Sequence, residues 1–123
     1  MKKILIIDDN EEFKEMIHDY FSSLGYLVYD CDSGKTGIPR AKEILPDLIF
    51  LDVMMPDKTG IEVIRELQED EDTKKIPVIV ITGSYFEGNM KEVFSVEANC
   101  REFLTKTTDL SILEKKVLDI IGK

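Results

Sequence analysis

Asp47-Leu48-Ile49-Phe50-Leu51-Asp52-Val53-Met54-Met55-Pro56-Asp57-Lys58-Thr59-Gly60 is the stretch from which the fold can be read. Leu48 to Leu51 is apolar throughout, without the polar alternation of a half-exposed strand, so both faces of this strand are expected to be buried. The run stops at a carboxylate, Asp52. Pro56 then breaks the chain into a loop, and Gly60 stands at the entrance to the next helical pattern. Open α/β sheets place their chemistry at the carboxyl ends of central strands. A strand-end aspartate can also serve as a mere turn or capping residue. The meaning of Asp52 therefore depends on what the other strands bring beside it.

Outward from this stretch, strand and helix patterns alternate with short connections and no internal repeat. Ile4 to Ile7 is a first buried strand, ending at Asp8-Asp9. Asn10 caps a helix whose apolar residues, Phe13, Met16, Ile17, Tyr20, Phe21 and Leu24, share one face, and Gly25 is placed to end it. Leu27 to Tyr29 is a shorter, edge-like strand. Ile38, Ala41, Ile44 and Leu45 have helical spacing with Gly37 and Pro39 at the start; Pro is comfortable in a first turn, so this helix is expected to begin near Pro39 or to carry an early irregularity. Thr59 and Glu62 form a capping box ahead of Ile61, Ile64 and Leu67. The charged run Glu69 to Lys75 lacks the ligand alternation and central glycine of a calcium loop and reads as a solvated turn. Pro77 to Ile81 is a fourth strand, ending at Thr82. Met90, Val93 and Phe94 mark a short helix closed by Asn99 in a left-handed conformation. Glu102 to Thr105 is a fifth strand, ending at Lys106, and Asp109 caps a last helix with Leu110, Leu113, Val117, Ile120 and Ile121 inward.

Repeated β-α units with buried strands predict an α/β fold, a doubly wound five-stranded parallel sheet with helices on both faces. The flavodoxin-like strand order 2-1-3-4-5 puts its reversal point between strands one and three. A chain of 123 residues is expected to form one domain over residues 1–123, with no output domain. The net charge of −9 argues against direct contact with nucleic acid or an anionic membrane. No stretch approaches transmembrane length, and the apolar run after Met1-Lys2-Lys3 is too short for a signal peptide. A cytoplasmic location is expected. Cys31 and Cys100 fit no metal-ligand spacing and are expected to be two buried thiols. His18, the one histidine, falls on the polar side of the first helix.

In a parallel sheet the strand ends Asp8-Asp9, Asp52, Thr82 and Lys106 all lie on one side. Carboxylates ~4 Å apart repel by about 4 kcal/mol at an effective dielectric of ~20, before screening. That is a large fraction of the roughly 5–15 kcal/mol by which a domain is stable. Lys106 and a bound divalent cation would relieve it, and carboxylate oxygens with a backbone carbonyl and waters are a donor set suited to Mg²⁺, with Mn²⁺ as an alternative. Such an ion would bring a phosphoryl donor to Asp52, while Lys106 and the Thr82 hydroxyl contact the phosphoryl oxygens.

These residues resemble the receiver domain of two-component response regulators. The resemblance rests on Ile4-Leu5-Ile6-Ile7-Asp8-Asp9, on Leu51-Asp52-Val53-Met54-Met55-Pro56 with Gly60, on Val78-Ile79-Val80-Ile81-Thr82 and on Phe103-Leu104-Thr105-Lys106. It implies that Asp52 is the phosphoacceptor, served by a histidine kinase or histidine phosphotransfer protein. It implies Mg²⁺ ligation by Asp9, Asp52 and the Met54 carbonyl, with Asp8 acting mainly through water. Thr82 and Phe103 match the family's switch pair, and Met54 and Ser84 the positions that tune phosphoryl lifetime. By the same resemblance, the downstream protein target docks on the face of the fourth helix, fifth strand and last helix. Thr107 stands where the family usually has proline, Ser84 to Asn89 makes a longer loop than usual, and Asn99-Cys100 replaces the usual Gly-Ala.

Other classes fit less well. A metal-dependent phosphohydrolase needs a nucleophile on the first strand with a second acid two residues later, which Asp8-Asp9-Asn10 does not supply. A flavin carrier needs a Ser, Thr and Gly loop there, and Asp8-Asp9-Asn10-Glu11-Glu12 would repel phosphate. A receiver-like docking module that no longer takes phosphate is the remaining alternative.

Overall fold

The computed structural model describes residues 1–83 and 90–123. Ten elements alternate: β1 (Lys3–Ile7), α1 (Glu11–Ser23), β2 (Leu27–Cys31), α2 (Gly34–Ile44), β3 (Leu48–Asp52), α3 (Gly60–Glu69), β4 (Val78–Thr82), α4 (Met90–Ser95), β5 (Cys100–Thr105) and α5 (Leu110–Ile121). The five strands form one parallel sheet in the order β2-β1-β3-β4-β5, as the sequence pattern predicts.

Side-chain alternation along the central strands divides the core in two. Leu5 and Ile7 of β1, Ile49 and Leu51 of β3, and Val78 and Val80 of β4 pack with Ile38, Ala41, Val63, Ile64, Leu67 and Phe94, from α2, α3 and α4. Their neighbours Ile4, Ile6, Leu48, Phe50, Ile79 and Ile81 pack with Phe13, Ile17, Phe21, Leu113 and Val117, from α1 and α5. Each fully buried side chain of this size contributes about 1.5–3 kcal/mol of transfer free energy, so both layers are held by the hydrophobic effect. The unbroken apolar runs of β3 and β4 follow from this double burial.

Several boundaries differ from the sequence expectation. Helix α2 begins at Gly34 under a Ser33 cap, and Pro39 lies inside it. Gly34 and Gly37 allow the early start. A Cβ at Gly37 would lie 2.7 Å from Ile7 Cδ1, and one at Gly34 would lie 2.6 Å from Val63 Cγ2, so the helix settles directly on the sheet and on α3. Pro39 is on the exposed side with Lys35, whose carbonyl loses a helical partner where water can replace it. The helix ends at Leu45, left-handed at φ 47°. Asn99, by contrast, is not left-handed. It is buried and its amide donates to the Ile64 carbonyl at 3.3 Å, a tertiary bond in place of a local turn.

Asp109 occupies the N-cap of α5 without a side-chain cap bond. Asn10 does cap α1, accepting from Phe13 N at 2.9 Å, and the Thr59–Glu62 capping box is complete. Within the Glu69 to Lys75 turn Thr73 is buried, its hydroxyl donating to the Leu67 carbonyl at 2.7 Å. Cys31 and Cys100 are free and only partly buried. Among the described residues no helix is long and apolar enough to cross a membrane.

Candidate functional site

Sheet register brings the strand ends together. Ile7 is level with Leu51, so Asp8 emerges beside Asp52; Asp52 is level with Ile81, and Thr82 with Thr105, one residue before Lys106. Backbone bonds fix the edge: Asp8 N to the Cys31 carbonyl at 3.0 Å, Val53 N to Ile81 at 3.2 Å and Lys106 N to Thr82 at 2.7 Å. The loop after Asp52 is closed by Gly60 N donating to the Val53 carbonyl at 2.7 Å. Only glycine fits at position 60, because a Cβ would lie 2.7 Å from the Asp52 carbonyl oxygen and 3.0 Å from Val53 Cα.

Asp8, Asp9 and Asp52 each offer a carboxylate oxygen, and these oxygens lie within 4.8 Å of one another. Asp8 and Asp52 are buried and Asp9 is exposed at the mouth. Lys106 Nζ lies 2.8 Å from Asp8 Oδ2 and 3.7 Å from Asp52 Oδ1. Asp8 Oδ1 also accepts from Asn10 N at 2.9 Å and from Lys106 Nζ at 3.1 Å. Asp8 Oδ2, though close to the ammonium, is buried without a well-directed hydrogen bond.

Burial pushes the Asp52 carboxyl up to about 7, reinforced by the negative charge of Asp8 and opposed by Lys106. Three carboxylates against one ammonium leave an unbalanced negative charge in a partly desolvated cleft, and Asp8 Oδ2 within it is ion-paired but without a well-directed hydrogen bond. This arrangement is compatible with a divalent metal ion, whose charge and oxygen preference match what the cleft lacks.

Thr82 is buried at the adjoining strand end, as expected. Met54 is 65% exposed, whereas Met55 packs into the core. Phe103, level with Val80, packs partly buried against the α2–α3–α4 core layer, with its ring 5.6 Å from that of Phe94. Ser84 and the rest of the Ser84 to Asn89 loop lie outside the described residues. Lys106 to Thr107 is an ordinary trans bond, and the Thr105 and Thr107 hydroxyls are 2.8 Å apart. His18 is half-exposed, as its helical position suggests.

Two contacts were not foreseen. Phe13 places its ring centroid 5.2 Å from Lys106 Nζ. Helical spacing marks Phe13 only as core, and nothing in the sequence pairs it with the last strand. Lys14 is buried between Glu11 and Asp32, whose carboxylates it bridges. Its place in the α1 periodicity gave no sign of that burial.

A family model described as the response regulator receiver domain matches residues 4–118. The polar-differentiation response regulator DivK of Brucella ovis is 30% identical over 121 residues, covering 98% of this chain and 97% of DivK. The chemotaxis protein CheY4 of Vibrio cholerae has the same fold, with a TM-score of 0.88 at 22% identity over 98% of each chain. So has the receiver domain of the sensor histidine kinase PA1611 of Pseudomonas aeruginosa, which carries a magnesium ion in its active site cleft. Its TM-score is 0.87 at 24% identity, covering 99% of this chain and 98% of that one. The sheet order, the acidic crevice and the match along nearly the whole chain agree: the chain belongs to the response regulator receiver domains of two-component signalling.

Proposed function

We propose that Asp52 is the phosphoacceptor of a phosphorelay, charged in a Mg²⁺-dependent reaction by a histidine kinase or a histidine phosphotransfer protein. The observation that carries this reading is the cluster of three carboxylates meeting a single ammonium at the sheet's reversal point. Asp9, Asp52 and the Met54 carbonyl would hold the ion, with Asp8 acting mainly through water, and Mn²⁺ could substitute. Bound there, such an ion would supply positive charge against the carboxylates and against the charge that develops on the phosphoryl oxygens.

The chain's own groups do the rest. An ionised Asp52 oxygen attacks phosphorus, forming an O–P bond as the donor's N–P bond breaks and its electron pair returns to the imidazole. Lys106 donates hydrogen bonds to the phosphoryl oxygens, and Thr82 supplies a hydroxyl from the adjoining strand. Burial of Asp52 limits water access to the acyl phosphate. The exposed Met54 side chain, with Ser84, sets its lifetime.

Phosphorylation adds roughly −1.5 to −2 charge beside Lys106 and Thr82. Thr82 and Phe103 form the switch pair that passes this change to the α4–β5–α5 face, where a downstream protein binds. Signalling is by protein contact in the cytoplasm.

The test is intact-mass analysis after incubation with acetyl phosphate and Mg²⁺. One labile phosphoryl adduct is expected, absent in Asp52→Asn. An adduct that survives in Asp52→Asn would refute the assignment, and no adduct in the unsubstituted protein would favour a docking module that no longer takes phosphate.

A further inference from the structure

The Lys106 ammonium has a neighbour that carries no charge. Phe13, in the first turn of α1, is 6% exposed, and its ring centroid lies 5.2 Å from Nζ. That is within the range at which the electron-rich face of an aromatic ring attracts a cation. The contact is fixed at its base. Asn10 accepts from Phe13 N at 2.9 Å through its side chain, while its own backbone N donates to Asp8 Oδ1 at 2.9 Å. One residue thus ties the ring and the carboxylate that meet the ammonium to the same helix start.

The two kinds of tether differ in what they consume. A carboxylate holds an ammonium by accepting its protons and opposing its charge. A ring face holds it through the quadrupole and leaves the N–H donors to other acceptors. Lysine needs such help, because its four-carbon stem is flexible and its charge is a point without preferred geometry.

We propose that Phe13 is a positioning residue for Lys106, its ring face holding the ammonium beside Asp52 with N–H donors available to a phosphoryl group. This role rests on the reading of Asp52 as the phosphoacceptor. The plainer role, a core side chain over which the lysine stem happens to lie, predicts sensitivity to shape and none to ring charge.

Mono-, di- and trifluorophenylalanine at position 13 weaken the ring face stepwise with little change in shape. Adduct formation from acetyl phosphate and Mg²⁺ is expected to slow along the series, by about threefold to tenfold at the trifluoro member, with thermal midpoints unchanged. In a Lys106→Met background the series is expected to be flat. An independent readout is the ring-current shift of the Lys106 Cε protons in lysine-labelled protein, which Phe13→Leu should abolish. Equal rates across the series, equal losses in the Lys106→Met background, or no ring-current shift would each overturn the role of Phe13 and leave the Asp52 assignment standing. No adduct in the unsubstituted protein overturns that assignment, and the positioning role with it.

Discussion

The two flanks of Asp52 are held by different means. On the side of β1, α2 and α3, backbone and side chains meet without room for a methyl group at Gly34, Gly37 or Gly60. Asp57, in the loop after Asp52, accepts from Lys35 N at 2.8 Å and so pins that loop to the start of α2. On the side of α4 and β5 the packing thins. Every residue of β3 and β4 is buried but none of β5, and α4 buries only Phe94. Polar ties do more of the work there, such as Asn99 to the Ile64 carbonyl and Gln68 Nε2 to Glu97 at 2.8 Å. Close-packed interiors resist displacement, whereas thinly packed, half-exposed elements open at lower free energy. Asp8 and Asp9 come from the first flank; Lys106 and Phe103 come from the second.

The largest test of this contrast is metal binding to the fixed flank. Mg²⁺ at 100 times its dissociation constant is expected to add about 2.7 kcal/mol of stability by mass action, raising the melting temperature by several degrees. No shift at saturation, with Asp9→Asn behaving like the unsubstituted protein, would mean that the acids do not form a metal cavity. Next, Gly60→Ala should cost about 2 kcal/mol in urea denaturation, because the new Cβ would strike backbone atoms of Asp52 and Val53. A cost near zero would show that this flank yields after all.

Asp52→Asn should raise metal-free stability by about 1 kcal/mol at pH 8, since it removes a carboxylate that burial and Asp8 both disfavour. The pH dependence follows with a definite sign. Burial and Asp8 push the folded carboxyl up to about 7 from an ordinary 3.8, so the folded state keeps a proton that the unfolded state releases. The resulting stability is fully present below about pH 4 and is lost as pH rises through 7. Denaturation midpoints across that window should fall more steeply for the unsubstituted protein than for Asp52→Asn. Equal slopes would contradict the raised titration. The smallest effect is expected on the looser flank. Asn99→Ala should cost only about 0.5 kcal/mol, because the bond to Ile64 is lost together with a buried amide oxygen that has no partner. A loss as large as that of Gly60→Ala would erase the contrast.

What the sequence disclosed, and what it did not, follows the same physical division. The sheet order and the convergence of Asp8, Asp9, Asp52, Thr82 and Lys106 were legible, because apolar runs mark buried strands and parallel topology puts their ends on one edge. Local capping at Asn10 and Thr59 was legible for the same reason: the bonds join near neighbours. Contacts made across the fold were not. Pro39 and Gly37 looked like helix-start signals, but Gly37 answers to Ile7 and the helix starts at Ser33's cap. Asn99 looked like a left-handed turn residue, but its amide serves a carbonyl 35 residues away. Asp109 holds a cap position without making the bond, and Phe13 meets a lysine from the opposite end of the chain.

That last separation bears on how the molecule is made. Asp8 and Lys106 touch although they stand 98 positions apart in the sequence, and among the described strands β5 joins the sheet through β4. On a ribosome the three acids emerge well before the lysine that balances them. A nascent or truncated copy therefore carries the acidic cluster without its counter-charge. Under the proposed role of Asp52, competence to take a phosphoryl group would arrive only once Lys106, beyond the end of β5, has docked beside Asp8.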